Sequence, residues 1–95
     1  MNDRLPMPSP EVLRMISGMV EGNMEAQDPD LVEELRDQNK LEKILNLRAI
    51  NLFQSEKAML ESGMPKEQAR EIAMNEWGTS LPSPEEISES NSATE

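Results

Sequence analysis

Cysteine and histidine are absent from this chain of 95 residues, and its aromatic residues are limited to one Trp and one Phe. Without cysteine the chain can form neither a disulfide nor a zinc site built on thiolates. Without histidine it lacks the commonest nitrogen ligand of metal ions and the commonest general base. A chain this short buries only a modest core, so we expect it to be reinforced by self-association or by docking onto a larger partner.

Positive charge is also scarce, since 9 Lys and Arg residues stand against 19 Asp and Glu residues, a formal net charge of -10. An acidic chain repels nucleic acid phosphates and anionic membrane surfaces, and it favours solubility and basic partners. The N-terminus contains no apolar core and no basic leader, and the longest mostly apolar run, 13–20, is too short and too polar to span a bilayer. We therefore expect a cytoplasmic protein without a membrane partner.

The motifs that usually carry catalysis are missing from the sequence. None of the four glycines belongs to a phosphate-binding loop, and no serine stands in a G-x-S-x-G elbow. Asp28 and Asp30 resemble the start of a calcium loop, but a proline separates them and no glycine follows at the turn. Glu34 and Asp37 form only one of the two carboxylate pairs that helical magnesium-dependent pyrophosphatases use. We therefore predict no enzymatic activity, no catalytic residue, no metal site and no cofactor.

Apolar residues recur at a spacing of three and four, which is typical of helices, and no alternating strand pattern occurs. Ser or Asp caps a helix start and Pro fits the first turn, whereas Gly ends a helix. The start signals are Ser9 with Pro10, Asp28 with Pro29, and Pro65, and the stop signals are Gly63 and Gly78. The second helix would cover about 34 residues, roughly 50 Å, if it were unbroken. The polar turn at 37–40 is the point where it could bend or break, and the sequence leaves this open.

The predicted fold is all-α: a helical hairpin or three-helix bundle in which a short third helix folds back on the first two. A single helical domain covers 9–78, preceded by an extended arm at 1–8 and followed by an acidic tail at 79–95. The tail is rich in Ser and Glu and poor in apolar residues, so we predict that it is disordered. Ser83 and Glu86 match a capping box, which allows a brief helical turn within it.

Eight methionines indicate an adaptable apolar surface, because Met fills irregular gaps and is over-used at promiscuous binding surfaces. Trp77 either locks the third helix onto the core or serves as a handle for a partner, and its place on the apolar face favours the lock. We predict a non-enzymatic interaction protein, such as a small regulator, adaptor or chaperone, that docks helix on helix and forms a homodimer. The candidate partner-binding residues are Leu52, Phe53, Met59, Ile72 and Trp77.

Two alternative functions follow from the charges. The first is an acidic mimic of nucleic acid, of the kind that phages use as inhibitors, which would occupy a basic site on its target. The second is a helical DNA-binding dimer that uses a basic patch of Arg36, Lys40 and Lys43, which follow helical spacing. Acidic residues flank this patch and no aromatic residue interleaves it for base stacking. A mixed-charge solvent face explains the patch more simply, and nucleic acid is not the expected partner.

Ionic strength distinguishes these functions. The affinity of an acidic mimic or of a DNA binder for its target should fall steeply between low and moderate salt, because the association depends on charge. An apolar docking module should keep most of its affinity over the same range. Titration of the target at several salt concentrations measures this slope, and a steep slope would contradict the predicted docking module.

Overall fold

Helices account for most of the chain in the computed structural model, which describes residues 7–92 and the side chains of 7–88. The helices in this range are α1 (Pro10–Gln27), α2 (Pro29–Asp37), α3 (Leu41–Glu61), α4 (Lys66–Trp77) and α5 (Pro84–Ser92), and no strand occurs among the described residues. The predicted all-α class is confirmed. Residues 1–6 of the predicted arm and 93–95 of the predicted tail lie outside the described residues.

Asp28 both ends α1 and begins α2. Its backbone N–H donates to the Met24 carbonyl over 2.8 Å, and its Oδ1 accepts the Leu31 N–H over 3.2 Å. An Asp at this position satisfies one of the N–H groups that a helix start leaves without a partner, and Pro29 fits the first turn. The chain therefore turns a corner between α1 and α2 without an intervening loop.

The polar turn between α2 and α3 breaks the helix at the weak point of the sequence. Asn39 has a φ of 61°, in the left-handed region. The Lys40 N–H donates to the Leu35 carbonyl over 2.9 Å, and the Asn39 N–H donates to the Arg36 carbonyl over 3.1 Å. This is the Schellman pattern, which ends a helix at a left-handed residue, usually Gly and sometimes Asn. The second helix of the sequence prediction is therefore two helices, α2 and α3, which pack against each other.

α3 is the central helix, because it packs against each of the other helices in the described part of the chain. Its fully buried residues include Ile44, Ala49 and Leu52. α4 contributes Ala69 and Ala73, which are also fully buried, and side chains this small allow two helix axes to come close. The part of the core that comes from α1 and α2 consists of Ile16, Val20, Met24, Val32 and Leu35.

Gly63 reverses the chain between α3 and α4. Its φ is 101°, which a residue with a side chain adopts only under strain. The Met64 N–H donates to the Met59 carbonyl over 3.1 Å, and the Gly63 N–H donates to the Leu60 carbonyl over 3.0 Å. The turn is a second Schellman motif, and it returns α4 along α3, as predicted for the third helix.

A helix also forms within the segment that the sequence predicts to be a disordered tail. α5 begins after Ser83, whose Oγ accepts the Glu86 N–H over 3.2 Å, which is one half of the predicted capping box; the Glu86 carboxylate binds Arg48 of α3. The helix covers nine residues, which is longer than the brief turn expected, and it packs on α3. Leu81 and Ile87 are half-buried against the core, and this apolar contact offsets part of the entropy lost on ordering.

Substitution of Asn39 tests the left-handed turn. Asn39→Ala should lower the free energy of unfolding by about 1 kcal/mol, because Ala is more strained in this region than Asn. Asn39→Gly should leave it nearly unchanged, because relief of strain and the added freedom of the unfolded chain oppose each other. Gln38→Ala, one residue earlier in right-handed backbone, is the matched control. Denaturant titration followed by Trp77 fluorescence measures all three, and equal losses for Ala at 38 and at 39 would contradict the assignment.

Candidate functional site

Arg48 of α3 binds the C-terminal segment at several points, although it is only 5% exposed. Its Nε and Nη2 donate to the two carboxylate oxygens of Glu86 in α5 over 2.8 and 2.9 Å. Its Nη1 donates to the backbone carbonyl of Trp77 over 3.3 Å and to that of Ser80. A buried guanidinium is stable only when its donors are paired, and bidentate pairing with a carboxylate is the strong form. We call Arg48, Glu86 and these two carbonyls the C-terminal clamp.

Side chains of α1 bind the same loop after α4. Asn23 Nδ2 donates to the Gly78 carbonyl over 2.9 Å, and Gln27 Nε2 donates to the Thr79 carbonyl. Together with Arg48, three side chains thus bind four successive carbonyls. They do so where α4 ends and its last carbonyls lack partners within the helix. The chain that follows α4 is therefore fastened to α1 and α3.

Trp77 lies at the end of α4, beside the clamp. Its side chain is half-buried and packs against the core, which is the position expected of a structural lock. Together with Leu47 and Asn51 it borders a hollow of about 410 Å³. Arg48 and Glu86 line the same hollow, and their charges are already paired with each other. A role for Trp77 as a partner anchor stays a prediction.

A second ion pair joins α3 to the first half of α4. Glu56 is buried, and its Oε1 accepts a hydrogen bond from Arg70 Nε over 2.9 Å. Arg48, Leu52 and Glu56 follow one another at steps of four, which places them on one face of α3. Leu52, between the two charged residues, is 0% exposed. Leu52 is therefore a core residue with no surface to offer a partner, which corrects its prediction as a partner-binding residue.

A groove of about 310 Å³ lies between the start of α1, the second half of α3 and the start of α4, and we call it the α1/α3 groove. Its lining combines an apolar floor of Val12, Met15, Ile16, Phe53 and Leu60 with the charged residues Glu56, Lys57, Lys66 and Arg70. Met15 is 51% exposed. Lys57 Nζ lies 6.0 Å from the centroid of the Phe53 ring, within the range of a cation–π contact. The groove thus presents a partly exposed apolar floor with an ammonium group above the Phe53 ring.

Phe53 is the one predicted partner-binding residue that lines this groove. Met59 is half-buried against the core, and Ile72 lies on α4 with 39% of its surface exposed. The structure therefore does not bring the predicted residues together into one surface. Met15 and Lys57 were not predicted as site residues. The spacing of the first helix marks Met15 as part of an apolar face, but nothing local shows which part of that face stays uncovered.

The predicted basic patch is mixed in charge. Arg36 Nη2 lies 2.7 Å from Glu21 Oε2 of α1, and both side chains are partly exposed. Lys40 lies in the turn before α3, and Lys43, in the first turn of α3, has an interaction of its own. A cavity of about 490 Å³ beside Arg36 is also lined by Glu21 and Glu42. Carboxylates therefore accompany the cations on this surface.

The described residues offer neither a metal-binding cluster nor a membrane-spanning helix. In that part of the chain no group of three or more Cys, His, Asp or Glu residues comes together in a way that could hold a metal ion. None of its helices combines the length and the apolar character needed to cross a membrane. No protein-family model, curated protein or solved structure matches this chain. Its function is therefore inferred from the geometry of the clamp and the groove.

Replacement of Arg48 tests the clamp. Arg48→Met should lower the free energy of unfolding by about 3 kcal/mol, because hydrogen bonds to Glu86 and to two carbonyls are lost. Glu86→Gln should also be destabilising, by about 2–3 kcal/mol, since the amide accepts only one hydrogen bond and leaves the buried Arg48 charge without a counter-charge. Arg14→Met, at an exposed arginine of α1, is the matched control and should change stability by less than about 0.5 kcal/mol. Urea titration followed by circular dichroism compares them, and equal losses at Arg48 and Arg14 would contradict the clamp.

Proposed function

We propose that this chain is a non-enzymatic protein-interaction module, of the regulator, adaptor or chaperone kind, that docks a segment of a protein partner in the α1/α3 groove. The observation that carries the proposal is the apolar floor of the groove, which the described residues leave partly open: Met15 is 51% exposed and lines the same groove as Phe53. Amphipathic partner helices lay their apolar face into grooves of this kind.

The groove residues suit an adaptable contact. Met15 is long and unbranched, so it changes shape at low cost when it meets different partner side chains. Phe53 adds a large flat area, and aromatic anchors contribute much of the binding energy of many interfaces. A groove of about 310 Å³ is at the lower end of the range for ligand cavities. It is therefore suited to a few inserted side chains of a partner rather than to a large cofactor.

The walls of the groove are held in place before a partner arrives. Ile16 of α1 and Leu52 of α3 belong to one core cluster, so these two walls are packed against the same interior. The ion pair between Glu56 and Arg70 holds α4 against α3. A partner does not have to order these helices, and the entropy lost on binding is correspondingly small.

The alternative functions have less support. The acidic mimic is supported by the net charge of -10 alone. A DNA-binding role needs Arg36 to reach a phosphate, whereas Arg36 is engaged by Glu21 of the same chain. The homodimer also stays a prediction. That prediction rests on the modest core that a chain of 95 residues can bury.

Photo-crosslinking tests the docking site. A photoreactive phenylalanine analogue is introduced at Met15 in the groove and, in a matched variant, at Leu47, which is 49% exposed on α3 outside the groove. We expect Met15, and not Leu47, to crosslink to a discrete partner in lysate of the source cell. Met15→Glu should then abolish capture of the same partner, because its carboxylate would be desolvated by an incoming apolar side chain. Leu47→Glu should retain the capture.

Both substitutions are at exposed positions, so both variants should stay folded, which Trp77 fluorescence checks. Equal crosslinking from the two positions, or capture retained by Met15→Glu, would contradict docking in the groove. Crosslinking from Leu47 alone would place the partner on the Trp77 side of α3 instead, since Leu47 and Trp77 line one hollow.

A further inference from the structure

We infer that the segment docked in the α1/α3 groove is an amphipathic helix whose apolar face is flanked by acidic residues. The inference rests on the proposed function and adds the chemical class of the occupant. It is carried by the charge of the groove and by the way α5 docks on α3 in the same molecule.

The groove is positive in an otherwise acidic protein. Lys57, Lys66 and Arg70 line it together with one carboxylate, that of Glu56, so three positive charges and one negative charge give a local net charge of +2. The whole chain carries a net charge of -10. The Glu56 carboxylate is buried and its charge is compensated by Arg70. An acidic segment therefore finds complementary charge here, whereas a basic segment is repelled at the groove.

Lys57 places positive charge directly beside the apolar floor of the groove. Its ammonium group lies 6.0 Å from the centroid of the Phe53 ring, and the residue is exposed. Suppose that a partner helix places an apolar side chain on Phe53. The residues three or four positions further along that helix then lie on the same side, one turn away. A carboxylate at such a position comes within reach of the Lys57 ammonium group.

Acidic residues limit the positive surface on α4. Glu67 and Glu71 share a separate hollow with Lys66 and Arg70. An acidic segment that moved from the groove into this hollow would meet two carboxylates. The charges of α4 thus favour the groove over the neighbouring hollow as the place for an acidic occupant.

α5 shows that α3 already accepts an acidic helix. The Glu86 carboxylate binds Arg48 of α3, and the next residue, Ile87, is half-buried against the core. The docked element thus combines a carboxylate with an adjacent apolar side chain. Arg48 and Lys57 are about 13 Å apart along the axis of α3, and no described residue of α5 lines the groove. The groove therefore offers the same two kinds of contact, cation and apolar surface, at a separate place on the helix.

Two synthetic peptides test the occupant. Each has about 16 residues, roughly four helical turns, with the same Leu and Met face flanked by Glu in one peptide and by Lys in the other. The full chain is labelled with ¹³C at its Met methyl groups, so that Met15 reports on the groove and the fully buried Met24 is the internal control. At low salt we expect the Glu peptide to shift the Met15 resonance and to bind at least about tenfold more tightly than the Lys peptide, a preference that should shrink at moderate salt while the affinity from the apolar face remains.

Charge reversal in the groove gives the decisive comparison. Lys57→Glu combined with Lys66→Glu should invert the preference, so that the Lys peptide binds more tightly. Lys40→Glu combined with Lys43→Glu is the matched control, because it makes the same charge change at residues that do not line the groove, and it should keep the preference for the Glu peptide.

The outcomes separate this inference from the proposed function. If the Met15 crosslink is observed but the two peptides bind equally, do not bind, or keep their order after charge reversal, the inference is overturned and the proposed function stands. A Met15 shift that follows the concentration of the protein without peptide would identify a second copy as the occupant and would also overturn the inference. Loss of both the crosslink and peptide binding would overturn the proposed function itself.

Discussion

Burial of one positive charge organises the C-terminal half of this fold. A guanidinium taken out of water destabilises a protein unless its donors are paired, and Arg48 finds its acceptors on α4, on the following loop and on α5. The buried charge of Glu56 has the same solution, a partner on α4 at Arg70. Because Arg48 and Glu56 lie on one face of α3, α4 is held in its first half and at its end. The α4 wall of the α1/α3 groove, which includes Arg70, is held in place by this arrangement.

The features that can be predicted from the sequence are those that neighbouring residues determine. The caps at Asp28 and Ser83 form because a side-chain oxygen lies three residues from the N–H that it accepts. The polar turn at 37–40 is recognisable as a weak point, and Asn39 ends the helix there because Asn tolerates a left-handed φ. The all-α class follows from the spacing of apolar residues, which is also a local property.

The features that escape prediction depend on residues far apart in the sequence. Arg48 and Glu86 are 38 positions apart, and neither has a local pattern that marks it as buried or paired. Apolar spacing likewise places both Leu52 and Met15 on helix faces, but Leu52 is fully covered and Met15 remains half exposed. Which part of a face is covered depends on how three helices meet. The charged lining of the groove has the same origin, since Lys57 and Lys66 come from different helices.

The central place of α3 has a consequence for the lifetime of the molecule. The other described helices all pack on α3. Detachment of any one of them would therefore expose surface of α3, the helix on which the others also depend. Small domains built in this way commonly unfold in one cooperative transition. An occupant that binds the folded groove and not the unfolded chain then stabilises the whole molecule by mass action, including the distant clamp. Its concentration in the cell would therefore set the fraction of the chain open to proteolysis.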